Sequence, residues 1–200
     1  MNILAIDVSV SGCSVAVVNQ VKNILSSRFY DTDRGQAEML VPMIGDIVQD
    51  SKIQMSDIDM IAVTRGPGSF TGVRIGLATA KSLGLALNIP VIGVSTLDVI
   101  ARYHVDKKAL FLIDTKRGDF YGQVSEGGEA RIWSETDIIS FKGGGIVKNV
   151  LPEIFVLAQM AAEIYKGQKG YDVDMAPTPI YLREAEVSQS KNLSLYVINP

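Results

Sequence analysis

Two stretches of this 200-residue sequence hold residues whose types and spacing suit phosphate chemistry. The first is Ile6-Asp7-Val8-Ser9-Val10-Ser11-Gly12, where an apolar run ends in an aspartate and continues through two serines to a glycine. Backbone N–H groups and short hydroxyls in such a hairpin can reach phosphate oxygens, and the Asp7 carboxylate can hold a magnesium-bound water. Asp7, Ser9, Ser11 and Gly12 are therefore the candidate nucleotide-binding residues. The same residue types also build plain tight turns, and that reading stays open. The second stretch, Arg65-Gly66-Pro67-Gly68-Ser69-Phe70-Thr71-Gly72, joins a strand pattern to an apolar helix pattern. Anions bind well at such a junction, because the first helical N–H groups lack partners of their own. It has neither the Gly-Lys-Ser/Thr of a P-loop nor the spacing of a dinucleotide fingerprint. A structural elbow that lets strand and helix pack closely is the competing reading.

The scarce residues exclude whole classes of chemistry. A single cysteine, Cys13, rules out an internal disulfide and any cysteine-based zinc finger. A single histidine, His104, rules out any two-histidine metal cage, while sites built from carboxylates alone remain open. Cys13 within a strand reads as a small buried hydrophobe, and His104 as a surface or capping residue. No Gly-x-Ser-x-Gly elbow appears. Asp114-x-x-Arg117-Gly118-Asp119 reads either as a polar hairpin or as part of a cleft. The formal charge of -3, from 19 basic and 22 acidic residues, argues against a generic basic surface for nucleic acid. No window approaches about 18 uninterrupted apolar residues, and the first apolar run lacks a basic leader, so a cytoplasmic setting is expected.

The elements that position these residues follow from apolar periodicity. Asn2–Val8, Gly12–Val18 and Asn23–Tyr30 read as three strands of a meander. Gln36–Asp50 has helical spacing along Leu40, Ile44, Ile47 and Val48, and Pro42 would kink it unless it fell in the first turn. A short turn at Ser56–Asp57 precedes a strand at Met60–Thr64, a helix at Val73–Asn88 and a strand at Pro90–Val94. Ser95 caps a helix running to about Tyr103. In the second half, Ala109–Asp114, Asp119–Ser125 and Ala130–Ser134 read as strands, Gly143–Gly145 as a flexible break and Glu153–Tyr165 as a helix. Tyr171–Pro179 reads as a linker with two prolines, and Ile180–Arg183 ends the ordered part. The class is α/β or α+β. Residues 1–104 form a first lobe and 105–200 a smaller second one, with the helix over 153–165 packing back on the first.

The helix over Val73–Asn88 is apolar on nearly all sides and must be covered on both faces. Gly76, Ala80 and Gly84 form a smooth strip, and Met39 and Met43 stack one turn apart on the preceding helix. Either both helices fill one core, or they meet a partner chain. The candidate partner-binding residues are Met39, Met43, Ile47, Arg74, Leu77, Ala80, Lys81 and Gly84.

The run RGPGSFTGVRIGLATAKSLGLALNIPVIGVSTLDVIA from Arg65 closely resembles the bacterial TsaB (YeaZ) family, as do IDVSVSGCSVAVV at the start, IDTKRGDFYG in the middle and Pro179–Arg183. The resemblance implies the two-lobed fold of actin, Hsp70 and sugar kinases, here with a second lobe shortened around Arg131–Lys148. It implies a non-catalytic scaffold that acts with its paralogue TsaD and the ATPase TsaE. That complex adds a threonylcarbamoyl group to adenosine 37, beside the anticodon, in tRNAs reading codons that begin with A. It also implies a homodimer in isolation and tRNA contact only through the complex. A trimmed second lobe leaves little wall for a nucleotide, so ATP or ADP binding is expected to be weak or confined to a complex interface. In the catalytic paralogue two histidines four residues apart bind the metal, whereas Thr96 and Ile100 stand at those places here. Gln36 likewise replaces a histidine common in relatives. An ATP-dependent phosphotransferase or a glycoprotease-like peptidase of the same fold is the alternative.

Overall fold

The computed structural model describes residues 1–21, 23–32, 34–167 and 177–183. Of the expected linker over Tyr171–Pro179, residues 171–176 lie outside them. Strands β1 (Asn2–Asp7), β2 (Cys13–Asn19) and β3 (Asn23–Tyr30) form the meander, and β4 (Met60–Thr64) and β5 (Val91–Val94) complete a five-stranded sheet in the order β3-β2-β1-β4-β5. β1 pairs antiparallel with β2 and parallel with β4, so the meander feeds directly into crossover units.

The continuous apolar runs of β1, β2 and β4 are explained by burial on both faces. Leu4, Ile6, Val15, Val17, Ile61 and Val63 point to one side, under helices α1 (Gln36–Asp50) and α2 (Phe70–Leu87). Ile3, Ala5, Ala16, Val18, Met60 and Ala62 point to the other, under α5 (Ile154–Gly167). The two-residue side-chain period splits one apolar string into two cores. Pro42 lies in the second turn of α1, not the first, and on its exposed side, where the helix can lose one N–H to water. The α2 helix starts three residues earlier than its apolar pattern suggests. Ser69 is its N-cap, accepting from the Gly72 N–H at 3.2 Å, so part of the glycine-rich run is already helix.

The second sheet has the order β8-β7-β6-β9, from β6 (Leu110–Asp114), β7 (Phe120–Val124), β8 (Arg131–Trp133) and β9 (Ile146–Lys148). Helix α3 (Thr96–Ala101), capped by Ser95, packs Leu97 and Ala101 against Phe111 and Ile113 of β6. Two elements here were not legible: α4 (Glu135–Ser140), with a Ser134–Asp137 capping box, and β9. Gly143–Gly145 is no break but the turn into β9. The Gly144 N–H donates to the Lys108 carbonyl at 2.8 Å and the Gly145 N–H to Asp106 Oδ2 at 2.6 Å. Among the described residues no helix is long and apolar enough to cross a membrane.

Candidate functional site

The two glycine-bearing stretches meet, and they bond mainly to each other. Asp7 is 2% exposed at the end of β1, and Ser9 is fully buried. Oδ1 of Asp7 accepts from the Ser9 N–H at 3.0 Å, the Ser9 hydroxyl at 2.5 Å and the Thr64 hydroxyl at 2.6 Å. The Ser9 carbonyl in turn accepts from the Ser69 N–H at 2.7 Å, just before α2. A Cβ on Gly68 would run into the Ser9 carbonyl oxygen and one on Gly72 into that of Val8, so only glycine permits this docking. Gly12, at φ +65°, bonds its N–H to the Thr32 carbonyl at 3.1 Å. Of the four nucleotide candidates, Ser11 alone lines the cleft described below. The elbow reading thus accounts for Asp7, Ser9, Gly68 and Gly72.

Burial raises the Asp7 carboxyl above its ordinary value, against the three hydrogen bonds, which lower it. The folded state therefore holds this proton more tightly than the unfolded chain, and the group weakens the fold as pH rises through the carboxylate range. Asp7→Asn keeps an acceptor at the same place and removes the titration, so urea unfolding should show a flatter pH dependence and little loss. Asp7→Ala orphans two buried hydroxyls and should cost about 2–4 kcal/mol in the same measurement.

A cleft of about 930 Å³ opens between the lobes. Its walls are Val10 and Ser11, the start of α2 with Arg74, the β6–β7 hairpin from Ile113 to Arg117, and Ile180–Arg183. The Asp114–Asp119 hairpin is both things the sequence allowed: it links β6 to β7, and its first residues line the cleft. Arg74 lies 3.7 Å over the Phe70 ring and donates to the Tyr181 hydroxyl at 2.9 Å. Arg183 pairs with Asp119, whose carboxyl is held below its ordinary range first by the Thr115 hydroxyl and then by Arg183. Sequence reasoning missed the Phe70–Arg74–Tyr181 cluster; Tyr181 lies 107 residues beyond Arg74, and only the resemblance over Pro179–Arg183 pointed there.

Cys13 is buried and its thiol is pushed up to about 11, chiefly by burial, so it stays protonated and inert. His104 stands edge-on to Phe111 at 5.1 Å and takes the Asp106 N–H on Nδ1 at 3.2 Å, as a capping residue does. Thr96 is fully buried, and Ile100 packs in the apolar cluster of α3 and β6. Neither place supplies an imidazole-like donor, and among the described residues no three His, Cys, Asp or Glu side chains gather to hold a metal.

The proposed partner residues divide between the two sides of their helices. Met43, Ile47, Leu77, Ala80 and Gly84 are in the chain's own core. The strip Gly76–Ala80–Gly84 lets α2 lie close on its own sheet: a Cβ on Gly84 would strike Val91, and Gly76 faces Val8 and Val63. Met39 and Lys81 are half-buried and Arg74 is exposed. The outward face instead carries Ala37, Val41 and Gly45 on α1, and Ala78, Ser82 and Leu85 on α2. Its residues are small or apolar, and Val41 and Leu85 are 58% and 79% exposed.

A family model described as "TsaD: tRNA N6-adenosine threonylcarbamoyltransferase" matches residues 23–166. The tRNA threonylcarbamoyladenosine biosynthesis protein TsaB of Escherichia coli K12 is 38% identical over 145 residues, covering 70% of this chain and 62% of that protein. TsaB of Buchnera aphidicola subsp. Schizaphis graminum is 37% identical, covering 60% of this chain and 58% of its own. The chain thus spans less than two thirds of these relatives' length. Among solved structures, YeaZ from Pseudomonas aeruginosa superposes with a TM-score of 0.72 at 25% identity, over 90% of this chain and 99% of that one. Another structure, described as similar to peptidase YEAZ from that organism, gives 0.77 at 24% identity over 91% and 99%. The expected two-lobed α/β fold is borne out, as is the resemblance read from Arg65 onward. The chain belongs to the threonylcarbamoyltransferase family of that model, among its TsaB (YeaZ) members.

Proposed function

We propose that this chain takes part in tRNA threonylcarbamoyladenosine biosynthesis as a non-catalytic scaffold, paired with a TsaD-type catalytic subunit and served by a TsaE-type ATPase. The observation that carries this reading is the packing of Thr96 and Ile100. At the places where the catalytic paralogue is expected to hold its metal, one side chain is sealed in and the other joins an apolar cluster. Metal-ligand chemistry needs nitrogen, sulfur or carboxylate donors there, and these residues have none. The Asp7–Ser9–Thr64 network supports weak nucleotide binding at most, since the groups that would face a phosphate or a hydrated cation are engaged with one another. The partner surface of this proposal is the outward face of α1 and α2, used for a homodimer in isolation and for the catalytic subunit in the complex. Contact with tRNA is then made through the assembly, in the cytoplasm.

Reconstitution tests this reading. Threonylcarbamoylated tRNA is measured by mass spectrometry with purified TsaD-type and TsaE-type subunits, in the presence and absence of the chain. Modification should depend on the chain, and the chain alone should give none. Modification by the chain alone would overturn the non-catalytic role, and modification indifferent to its presence would overturn the scaffold role.

A further inference from the structure

The segment Pro177–Arg183 crosses from one lobe to the other at the cleft and is tied to both. Its first half is fixed to the first lobe. The Ile180 N–H donates to the Arg65 carbonyl at 2.7 Å, in the glycine-rich turn. Pro177 lies against Gly93 of β5, where a Cβ would collide with the proline ring. The Tyr181 ring is 5.9 Å from that of Phe70, and its hydroxyl accepts from Arg74 at 2.9 Å, both at the start of α2. Two residues on, the tie is to the second lobe. Arg183 pairs with Asp119 in the β6–β7 hairpin, and both side chains are well sheltered, 27% and 22% exposed. Thr115 braces the same carboxylate through its hydroxyl at 2.5 Å. The lobes meet a second time through α3, where Asp98 accepts from the Gln123 side chain at 2.6 Å and from the Gly127 N–H at 2.8 Å. No residue of α3 lines the cleft, whereas Ile180, Tyr181, Leu182 and Arg183 all do.

We propose that Pro177–Arg183 is a strap that latches the cleft: α3 acts as the hinge between the lobes, and the Arg74–Tyr181 and Asp119–Arg183 contacts hold the cleft mouth at one opening. The latch is suited to release. Arg74 and Tyr181 are exposed, with Tyr181 half in water, so their contact can break without opening a core, and the more sheltered Asp119–Arg183 pair is the firmer of the two. The α3 contacts involve fully buried Leu97 and Ala109 and cannot open as easily. Tyr181 and Arg183 line the cleft facing the β6–β7 hairpin, so displacement of the strap changes the width of the cleft.

Hydrogen exchange on the full chain tests it. In Arg183→Asp, the amides from Asp114 to Tyr121 should exchange about tenfold faster or more, while those of β1 and β4 keep their rates, because only a local opening is promoted. Adding Asp119→Arg restores a pair of opposite charges and should recover part of the lost protection, though not all of it, since the Thr115 hydroxyl then lacks its carboxylate acceptor. Tyr181→Ala, at a half-exposed position, should act in the same direction and serves if Arg183→Asp folds poorly. Hairpin rates unchanged in both single variants would overturn the latch. Equal acceleration in β1 and β4 would also overturn it, since the segment would then be an ordinary part of global stability.

Discussion

The Ala78→Glu variant is expected to fold as the parent does and to lose pairing by about 100-fold, in gel filtration of the isolated chain and in pull-down with a TsaD-type subunit alike. Ala78 is exposed in the middle of α2, and glutamate is a good helix former, so the monomer has little to lose. Across a helix-to-helix interface the same carboxylate would be desolvated, a penalty of about 3 kcal/mol beyond what Arg74 and Lys81, one turn away on the same helix, can offset, which is near 100-fold in affinity. Met43→Glu makes the instructive contrast. Met43 is 5% exposed and packs among Leu40, Ile44 and the first sheet. A charge there attacks the chain's own core and should destabilise the fold by several kcal/mol, so its loss of pairing would report unfolding. Undiminished pairing by folded Ala78→Glu would place the interface elsewhere.

The second large effect is at Gly72. Gly72→Ala should lower stability by about 3 kcal/mol, with a fall in Tm near 10 °C, because the new methyl meets the Val8 carbonyl and backbone cannot yield as a side chain can. The junction of β1 with α2 would be forced apart, and Ser69, which donates to the Ser9 carbonyl, would move with it. Gly45→Ala is the same chemical change with the opposite sign. Gly45 lies inside α1 facing open space, so the methyl meets nothing, and relief of glycine's conformational freedom should stabilise the helix by about 1 kcal/mol. Thermal unfolding of the two variants side by side separates close approach from helix propensity. If Gly72→Ala melted with the parent, the elbow account of the glycine-rich turn would fail.

Much of this molecule was legible in its residues alone. The spans of β3, α1 and β4 were read as they stand: α1 buries one regular face, and β4 is a short continuous apolar run because it is covered on both sides. Family membership could be read from Arg65 to Ala101, and the scarcity of histidine and cysteine bounded the chemistry. The errors have a common cause. Gly76, Ala80 and Gly84 announce that something approaches α2 closely, yet a sequence cannot say whether the approaching surface is a partner's helix or the chain's own β4 and β5. Met43 and Ile47 announce an apolar face with the same ambiguity. Asp7, Ser9 and Gly12 fit a phosphate cradle as well as a turn, until Thr64, 57 residues away, arrives to share the carboxylate. The strap is the extreme case, since Arg74 and Tyr181 are joined across 107 residues. Local pattern determined which elements form and which residues are apolar. Tertiary structure decided which side of each helix is left to the solvent and which polar groups are already engaged, because both depend on contacts between residues remote in the chain.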